Sequence, residues 1–297
     1  AALATGMGSR TSVGASLLLG IANFRLGYWW DSGIDPGSRP GNAKPYGVTL
    51  RIFGVLREII PVYGLLADEL IAQFPGTSSR YWYLSDGGHF DNTGCYELVR
   101  RRIPFIVCVD NGADAEYECS DLATLTRAVR VDFGAEIQLL DSAALDAVVG
   151  DERRSYFGTF DELKSVAVRP KDMRPRHYPR ATLARIRYAT EAWPQAPMES
   201  LMLIVKPTVC GGEPLDVSHY RKLHPDFPQE TTAQQFFDDA QWEAYRRLGE
   251  HIGECLFASS GSAENESKWD PTATEVQTAL TILGDRDKSL SLTLQGL

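Results

Sequence analysis

The chain has 297 residues, of which 43% are hydrophobic and 23% are charged, and it carries a formal net charge of -9 at pH 7. That length allows one large domain or two modest ones, and the composition is that of an ordinary soluble globular protein. The excess of negative charge argues against a nucleic-acid partner, because binding to phosphate requires clustered positive charge.

The first part of the sequence predicts two helices separated by a loop. A helix is predicted for residues 11–26, with a hydroxyl side chain as its N-cap. Residues 31–46 are rich in Gly, Pro, Asn and Ser and predict a long irregular surface loop, which in a compact domain usually covers a site. A second helix is predicted for residues 48–74, with Pro61 kinking or dividing it.

Residues 81–102, YWYLSDGGHFDNTGCYELVRRR, predict a strand, a tight turn and a helix. The aromatic and aliphatic residues before Asp86 are typical of a buried strand, and the two glycines after it favour a sharp turn with outward-facing N–H groups. In an open α/β sheet the ligand binds beyond the carboxyl ends of the strands, so Asp86 stands at a candidate site. The alternative is that Asp86 only accepts hydrogen bonds from its own turn.

The next part of the sequence alternates strands and helices. Residues 103–110 are a continuous apolar run typical of a fully buried parallel strand, residues 121–132 predict an amphipathic helix, and residues 135–140 predict another strand. This rhythm predicts an α/β fold with a doubly wound, mostly parallel sheet flanked by helices. Asp110 and Asp114 follow the first of these strands, where they either line the same crevice as the Asp-Gly-Gly turn or simply form turns.

The last part predicts two more strands and two helices. Residues 182–188 alternate like a half-exposed strand and residues 200–207 are strongly apolar, so the two are expected to be neighbours at one side of the sheet. A long helix is predicted for residues 231–253, residues 258–268 predict a linker, and Pro271 suits the first turn of a final helix. The side chains predicted on the buried face of the long helix are Phe236, Phe237, Trp242, Tyr245, Leu248 and Ile252.

The spacing of cysteine and histidine predicts neither a metal site nor a disulfide framework. The five cysteines contain no C-x-x-C pair, and His177, His219, His224 and His251 form no H-E-x-x-H or comparable pattern. We therefore expect a reducing compartment, no metal and no cofactor. The longest apolar stretch, residues 13–24, is too short to span a bilayer.

Several blocks of the sequence resemble bacterial patatin-like phospholipases. Residues 84–102, LSDGGHFDNTGCYELVRRR, are similar to the segment that carries the acidic residue of the Ser–Asp dyad in that family. The likeness continues in VDFG at residues 131–134, in the strand at residues 201–207, and in residues 224–249, which begin HPDFP. Residues 24–29, FRLGYW, resemble more loosely the segment that follows the nucleophile.

The resemblance implies a three-layer α/β/α domain that hydrolyses acyl esters of lipids through a Ser–Asp dyad. It assigns the role of catalytic base to Asp86. It also implies that Gly87 and Gly88 shape the turn, and that His89 bonds locally or faces the crevice, so these three residues are the predicted substrate-binding group. A carboxylate is a poor base for an alcohol unless it is held short of water, so we expect Asp86 to be desolvated at the tip of its strand.

The nucleophile that the resemblance requires is not found in the sequence. Neither G-x-S-x-G nor a glycine-rich oxyanion loop occurs in it. Either the serine precedes Ala1, or the protein is a non-catalytic patatin-fold relative that binds or scaffolds at a membrane surface. We therefore expect residues 1–257 to be the carboxy-terminal part of a patatin-like domain that is incomplete at its N-terminus, and residues 258–297 to be a linker and tail.

The resemblance also implies partners and a location. The expected partners are a lipid or acyl-ester substrate, the upstream part of the same polypeptide and a membrane surface. The expected location is cytoplasmic or at the inner face of the membrane. Trp29 and Trp30, beside the predicted loop, either touch acyl chains or anchor a core.

Overall fold

The computed structural model describes residues 27–33, 61–71, 74, 80–149, 154–168, 179–189, 198–231, 236–257 and 273–295. The helix predicted for residues 11–26, the loop at 34–46, the first part of the helix at 48–60 and the linker at 258–268 lie outside these ranges. The chain divides into two compact units between Asn92 and Thr93.

The described part of the first unit holds a two-stranded antiparallel sheet and a helix. Strand β1 (Gly27–Asp31) pairs with β2 (Tyr81–Ser85), and helix α1 is Pro61–Leu70. Proline suits the first turn of a helix because its missing N–H has no intrahelical partner there. Strand β2 confirms the strand predicted before Asp86, but most of its residues are half-buried rather than buried.

One face of this small sheet packs through aromatic rings. Trp29 lies 5.0 Å from Tyr83 across the strands and 5.9 Å from Phe74 between ring centroids. Glu69 of α1 is buried beneath them, and it accepts hydrogen bonds from Trp29 Nε1 (3.4 Å) and the Tyr83 hydroxyl (3.2 Å). Trp29 is thus a core anchor, whereas its neighbour Trp30 is 45% exposed on the opposite face.

The described part of the second unit is built on a four-stranded sheet in the order β3-β6-β5-β4. Its strands are β3 (Phe105–Val109), β4 (Glu136–Leu139), β5 (Ala181–Arg187) and β6 (Glu199–Val205). Strands β3 and β6 are parallel, whereas β5 pairs antiparallel with both β6 and β4. Because β3 and β6 are parallel, their carboxyl ends lie at the same edge of the sheet.

Seven helices of the described part accompany this sheet. They are α2 (Tyr96–Arg100), α3 (Ser120–Phe133), α4 (Ser142–Val148), α5 (Phe160–Val168), α6 (Leu215–Leu223), α7 (Asp239–Phe257) and α8 (Ala273–Gln295). The block VDFG at residues 131–134 is the end of α3, where Gly134 takes a left-handed conformation and its N–H bonds to the Arg130 carbonyl.

An apolar core packs against each face of the sheet. On one face, alternate residues of β5 and β6 meet α4, α6, α7 and α8. On the other face, Ile106 and Cys108 of β3 and the intervening residues of β5 and β6 meet α2 and α3. Leu280 and Leu283 of α8 lie in the first of these cores, so this helix, which the sequence assigned to the tail, packs into the second unit.

The α/β class predicted from the sequence is confirmed, but the described sheet is mixed rather than mostly parallel, because only one of its three strand pairs is parallel. The strand predicted at residues 182–188 is central and almost fully buried rather than half-exposed. The long helix begins at Asp239 rather than near Thr231, and Trp242 is 67% exposed instead of buried.

Candidate functional site

Asp86 follows β2 directly and begins a single 3-10 turn, Gly87–His89. Its Oδ1 accepts a hydrogen bond from the backbone N–H of Gly88 at 2.9 Å, so the side chain acts as the N-cap of this turn. The local prediction of a strand followed by a sharp turn is therefore confirmed. The hydrogen bond is also the one that the simpler interpretation of Asp86, an acceptor within its own turn, predicts.

The side chain of Asp86 is exposed. The described residues around this carboxylate therefore do not shield it from water, contrary to the prediction. For Asp86 to act as a base, the substrate itself would have to displace the water around it. The backbone of His89 lies in the same turn, and its side chain is outside the described part of the structure.

The two glycines of the turn differ in what they require. A Cβ atom at Gly88 would lie 2.9 Å from Asn92 Oδ1 and 3.3 Å from Asp86 Oδ1, whereas one at Gly87 would meet nothing within 4 Å. Gly88 therefore allows the close approach of the Asp86 carboxylate to the turn. Gly87 has no such steric role.

A second candidate site lies in the second unit, at the carboxyl ends of the parallel strands β3 and β6. Asp110 follows β3, Lys206 follows β6, and the Lys206 ammonium lies 3.0 Å from Asp110 and 3.4 Å from Asp114. The side chains of Lys206 and Asp110 are only 4% and 3% exposed. The sequence indicated both aspartates as possible crevice residues, and the structure brings them together around a lysine that the sequence analysis did not single out.

The loop after β3 is fixed by further hydrogen bonds. Asp114 accepts from the backbone N–H groups of Glu118 (2.9 Å) and Cys119 (2.7 Å), and Asp114 N donates to Gln229 Oε1 at 2.9 Å. The Tyr117 hydroxyl donates to the Pro207 carbonyl at 2.8 Å. These bonds hold Tyr117 and Cys119 at positive φ values of 49° and 50°, which side chains with a Cβ rarely adopt.

The electrostatics of this cluster favour a locked ion network over a reactive group. Burial alone would lower the pKa of Lys206, but the attraction of Asp110 and its hydrogen bond outweigh burial and raise it. Burial would raise the pKa of Asp114, but hydrogen bonds from Glu118 and Cys119 and the charge of Lys206 lower it. Lys206 therefore stays protonated at neutral pH and is neither a nucleophile nor a general base.

A third buried cluster surrounds Arg180, which is 1% exposed. Its guanidinium lies 3.2 Å from Glu213 Oε1 and 3.1 Å from His251 Nε2. Burial raises the pKa of the nearby Cys210 thiol to about 12, and burial followed by the charge of Arg180 lowers the pKa of His251. The thiol beside the His251 imidazole is that of Cys255, whose Sγ lies 3.8 Å from Nε2. Because its pKa is lowered, His251 is a poor acceptor of a thiol proton, so this cluster is structural.

No protein-family model, no curated protein and no solved structure matches this chain. Among the residues that the structure describes, no group of three or more His, Cys, Asp or Glu side chains is placed to hold a metal ion. None of the described helices is both long and apolar enough to cross a membrane.

Proposed function

We propose that this chain contributes the catalytic base of an enzyme that hydrolyses acyl esters of lipids, and that Asp86 is this base. The observation that carries the proposal is the placement of Asp86 at the carboxyl end of β2, where Gly88 N–H fixes one carboxylate oxygen and the side chain stays accessible to a substrate. The resemblance of residues 84–102 to the acidic segment of patatin-like phospholipases supports the same role.

The proposal places the nucleophilic serine in polypeptide that precedes Ala1, because the sequence contains no G-x-S-x-G. A serine attacking an ester loses its proton to the carboxylate, which must have an increased proton affinity at that moment. Since Asp86 is exposed, binding of the apolar ester has to displace the water around it. The patatin-like three-layer arrangement is part of this proposal, and the apolar cores on both faces of the sheet of the second unit support it.

Covalent labelling tests whether a serine hydrolase is present at all. The polypeptide extended upstream of Ala1 is incubated with an uncharged alkyl fluorophosphonate, and hydrolysis of p-nitrophenyl butyrate is followed in parallel. We expect one serine upstream of Ala1 to be labelled and ester hydrolysis to stop with the labelling. Hydrolysis that continues after complete labelling, or a labelled serine within residues 1–297, would contradict the proposal.

A second candidate function is a non-catalytic module that binds a membrane surface. The observation that favours it is the outer face of the β1-β2 sheet, where Tyr28 is 68%, Trp30 is 45% and Leu84 is 48% exposed. Tyr28 lies opposite Leu84, and Trp30 opposite Trp82, in the register of the two strands. Tryptophan and tyrosine have apolar rings with one polar group, which suits the boundary between water and lipid.

Vesicle sedimentation tests this second candidate. The chain is mixed with phosphatidylcholine vesicles, and Trp30→Ser is compared with Trp242→Ser, a change at a tryptophan of the other unit that is 67% exposed. Membrane binding through the β1-β2 face predicts that only Trp30→Ser lowers the bound fraction. Equal binding by both variants would contradict it.

A further inference from the structure

A cavity of about 390 Å³ lies between helix α7 and one face of the sheet in the second unit. Strands β3 and β6 form its floor, and one side of α7 forms its wall. The described residues that line it include Val107, Val109, Asn111, Tyr245, Gly249 and Gly253.

The cavity exists because the apolar core on this face is incomplete over β3. Successive side chains of a strand point to opposite faces. Ile106 and Cys108 point to the filled face and are each 1% exposed, whereas Val107 and Val109 point to the cavity and are 43% and 46% exposed. Two aliphatic side chains in the middle and at the end of a strand are thus left without full cover by the described residues.

Two glycines of α7 keep the wall of the cavity open. Gly249 and Gly253 are one helical turn apart and both line the space, and a Cβ atom at either position would meet nothing within 4 Å. Glycine is less favourable inside a helix than any other residue except proline. No steric contact with the described residues therefore demands glycine at either position, and what the two residues provide is room next to the valines of β3.

The lining defines the chemistry of an occupant. None of the described residues in the lining carries a charged side chain, and their polar side-chain groups are the amide of Asn111 and the hydroxyl of Tyr245. The volume falls within the roughly 300–1,000 Å³ of ordinary small-molecule pockets and is well above the roughly 150 Å³ of an apolar cavity that binds benzene. A carboxylate or ammonium would lose its hydration here without gaining an opposite charge.

We propose that this cavity is a binding site for an uncharged aliphatic chain. The chain lies along Val107 and Val109 beneath α7 and occupies the space that the two glycines leave. The described lining residues all belong to the second unit, and the site does not depend on the role of Asp86, so it can exist whether or not the protein hydrolyses esters.

Fluorescence of N-phenyl-1-naphthylamine, an uncharged apolar probe, measures binding to the 297-residue chain. We expect saturable binding, and we expect 1-decanol to displace the probe at lower concentration than decanoate, because the lining offers no cation to the carboxylate. Absence of saturable binding, or stronger displacement by decanoate than by 1-decanol, would overturn the proposal.

Substitution in α7 locates the probe. Gly253→Leu places four carbon atoms in the cavity, whereas Glu254→Leu introduces the same side chain at the next residue, which is exposed and does not line the cavity. We expect Gly253→Leu to weaken probe binding about tenfold or more, and Glu254→Leu to leave it unchanged. Equal effects of the two variants would place the probe elsewhere, for example on the exposed aromatic face of the first unit, and would refute the site.

Gly253→Ala separates filling of the cavity from loss of the fold. Because the added methyl group meets nothing and alanine favours helix, we expect a higher midpoint of thermal unfolding than that of the unmodified chain. Weaker probe binding with a higher midpoint supports a real cavity at this position. A lower midpoint would show that the space beside Gly253 is occupied by the protein itself.

Discussion

Removing the ammonium group of Lys206 should destabilise the second unit strongly. The Lys206 ammonium lies 3.0 Å from the carboxylate of Asp110 and 3.4 Å from that of Asp114, and the side chain of Asp110 is only 3% exposed. In Lys206→Ala, both carboxylates lose this cation. Breaking a buried ion pair by removing one partner costs about 3–5 kcal/mol, because the remaining charge is buried without compensation. That is a large part of the roughly 5–15 kcal/mol by which domains are normally stable.

Urea unfolding followed by circular dichroism measures this change. The matched control is Arg246→Ala, which breaks an exposed pair with Glu243 on α7 at 49% and 50% exposure and is expected to cost less than about 1 kcal/mol. In Asp110→Asn/Lys206→Met, the buried pair is replaced by uncharged groups and part of the lost stability should return. If Lys206→Ala lowers the free energy of unfolding no more than Arg246→Ala does, the ion pairs of Lys206 with Asp110 and Asp114 do not hold the strand ends together.

The pH dependence follows from the directions of the two pKa shifts. The pKa of Lys206 is raised above its ordinary 10.5, so its contribution is complete below that value and is lost as pH rises through the raised pKa. The pKa of Asp114 is lowered below 3.8, so its contribution is present above that value and is lost as pH falls through the lowered pKa. In the unmodified chain, the contribution of these two groups to the free energy of unfolding should therefore be constant between about pH 5 and pH 9, which urea unfolding at several pH values measures.

Two further predictions concern backbone and thiols. Gly134→Ala should lower the free energy of unfolding by about 1–2 kcal/mol, because Gly134 has a φ of 61° that alanine rarely adopts. The control Gly284→Ala, in the interior of α8, should not lower it. Equal effects of the two variants in urea unfolding would contradict this account of the end of α3. Burial raises the pKa of the Cys119 thiol to about 11 and that of the Cys210 thiol to about 12. Both thiols should therefore react with Ellman's reagent at pH 8 only after the chain unfolds. Rapid labelling of either thiol in the native chain would contradict this prediction, because it would show that the thiol is accessible.

The sequence predicted the elements whose residues carry a local signal. Strand β3 was predicted from an unbroken apolar run, and α3 from apolar residues at helical spacing. Both lie within a residue or two of their predicted ends, because propensity, period and capping chemistry all act over a few residues.

Pairing and burial depend on distant residues, and there the sequence was less informative. The alternation of β5 suggested a half-exposed strand, but Arg185 is covered by Glu199 of β6 (2.5 Å) and Asp287 of α8 (2.7 Å). The residues near Arg185 in the sequence give no indication that Asp287, about a hundred residues later, pairs with it. The long helix begins at Asp239, eight residues after its predicted start, because Asp238 caps it by accepting a hydrogen bond from Gln241 N at 2.7 Å.

The candidate sites show the same division. The turn after Asp86 was predicted from adjacent residues, and its local geometry is confirmed. Strand β2, however, lies in the two-stranded antiparallel sheet rather than in the α/β sheet, and the carboxylate is exposed rather than desolvated. Lys206 was missed because its partner Asp110 is 96 residues away. The only local signal was a lysine placed directly after the strongly apolar strand β6, where a buried charge requires a partner.

The role of Asp86 is tested most directly by measuring kcat/KM for p-nitrophenyl butyrate in the upstream-extended polypeptide and in its Asp86→Asn variant. Asp91→Asn is the matched control, because it makes the same chemical change five residues away in the same loop. If Asp86 takes the proton of the serine, Asp86→Asn should lower kcat/KM by about 10²–10⁴-fold and Asp91→Asn should not. Activity of Asp86→Asn close to that of the unmodified protein would contradict the central claim.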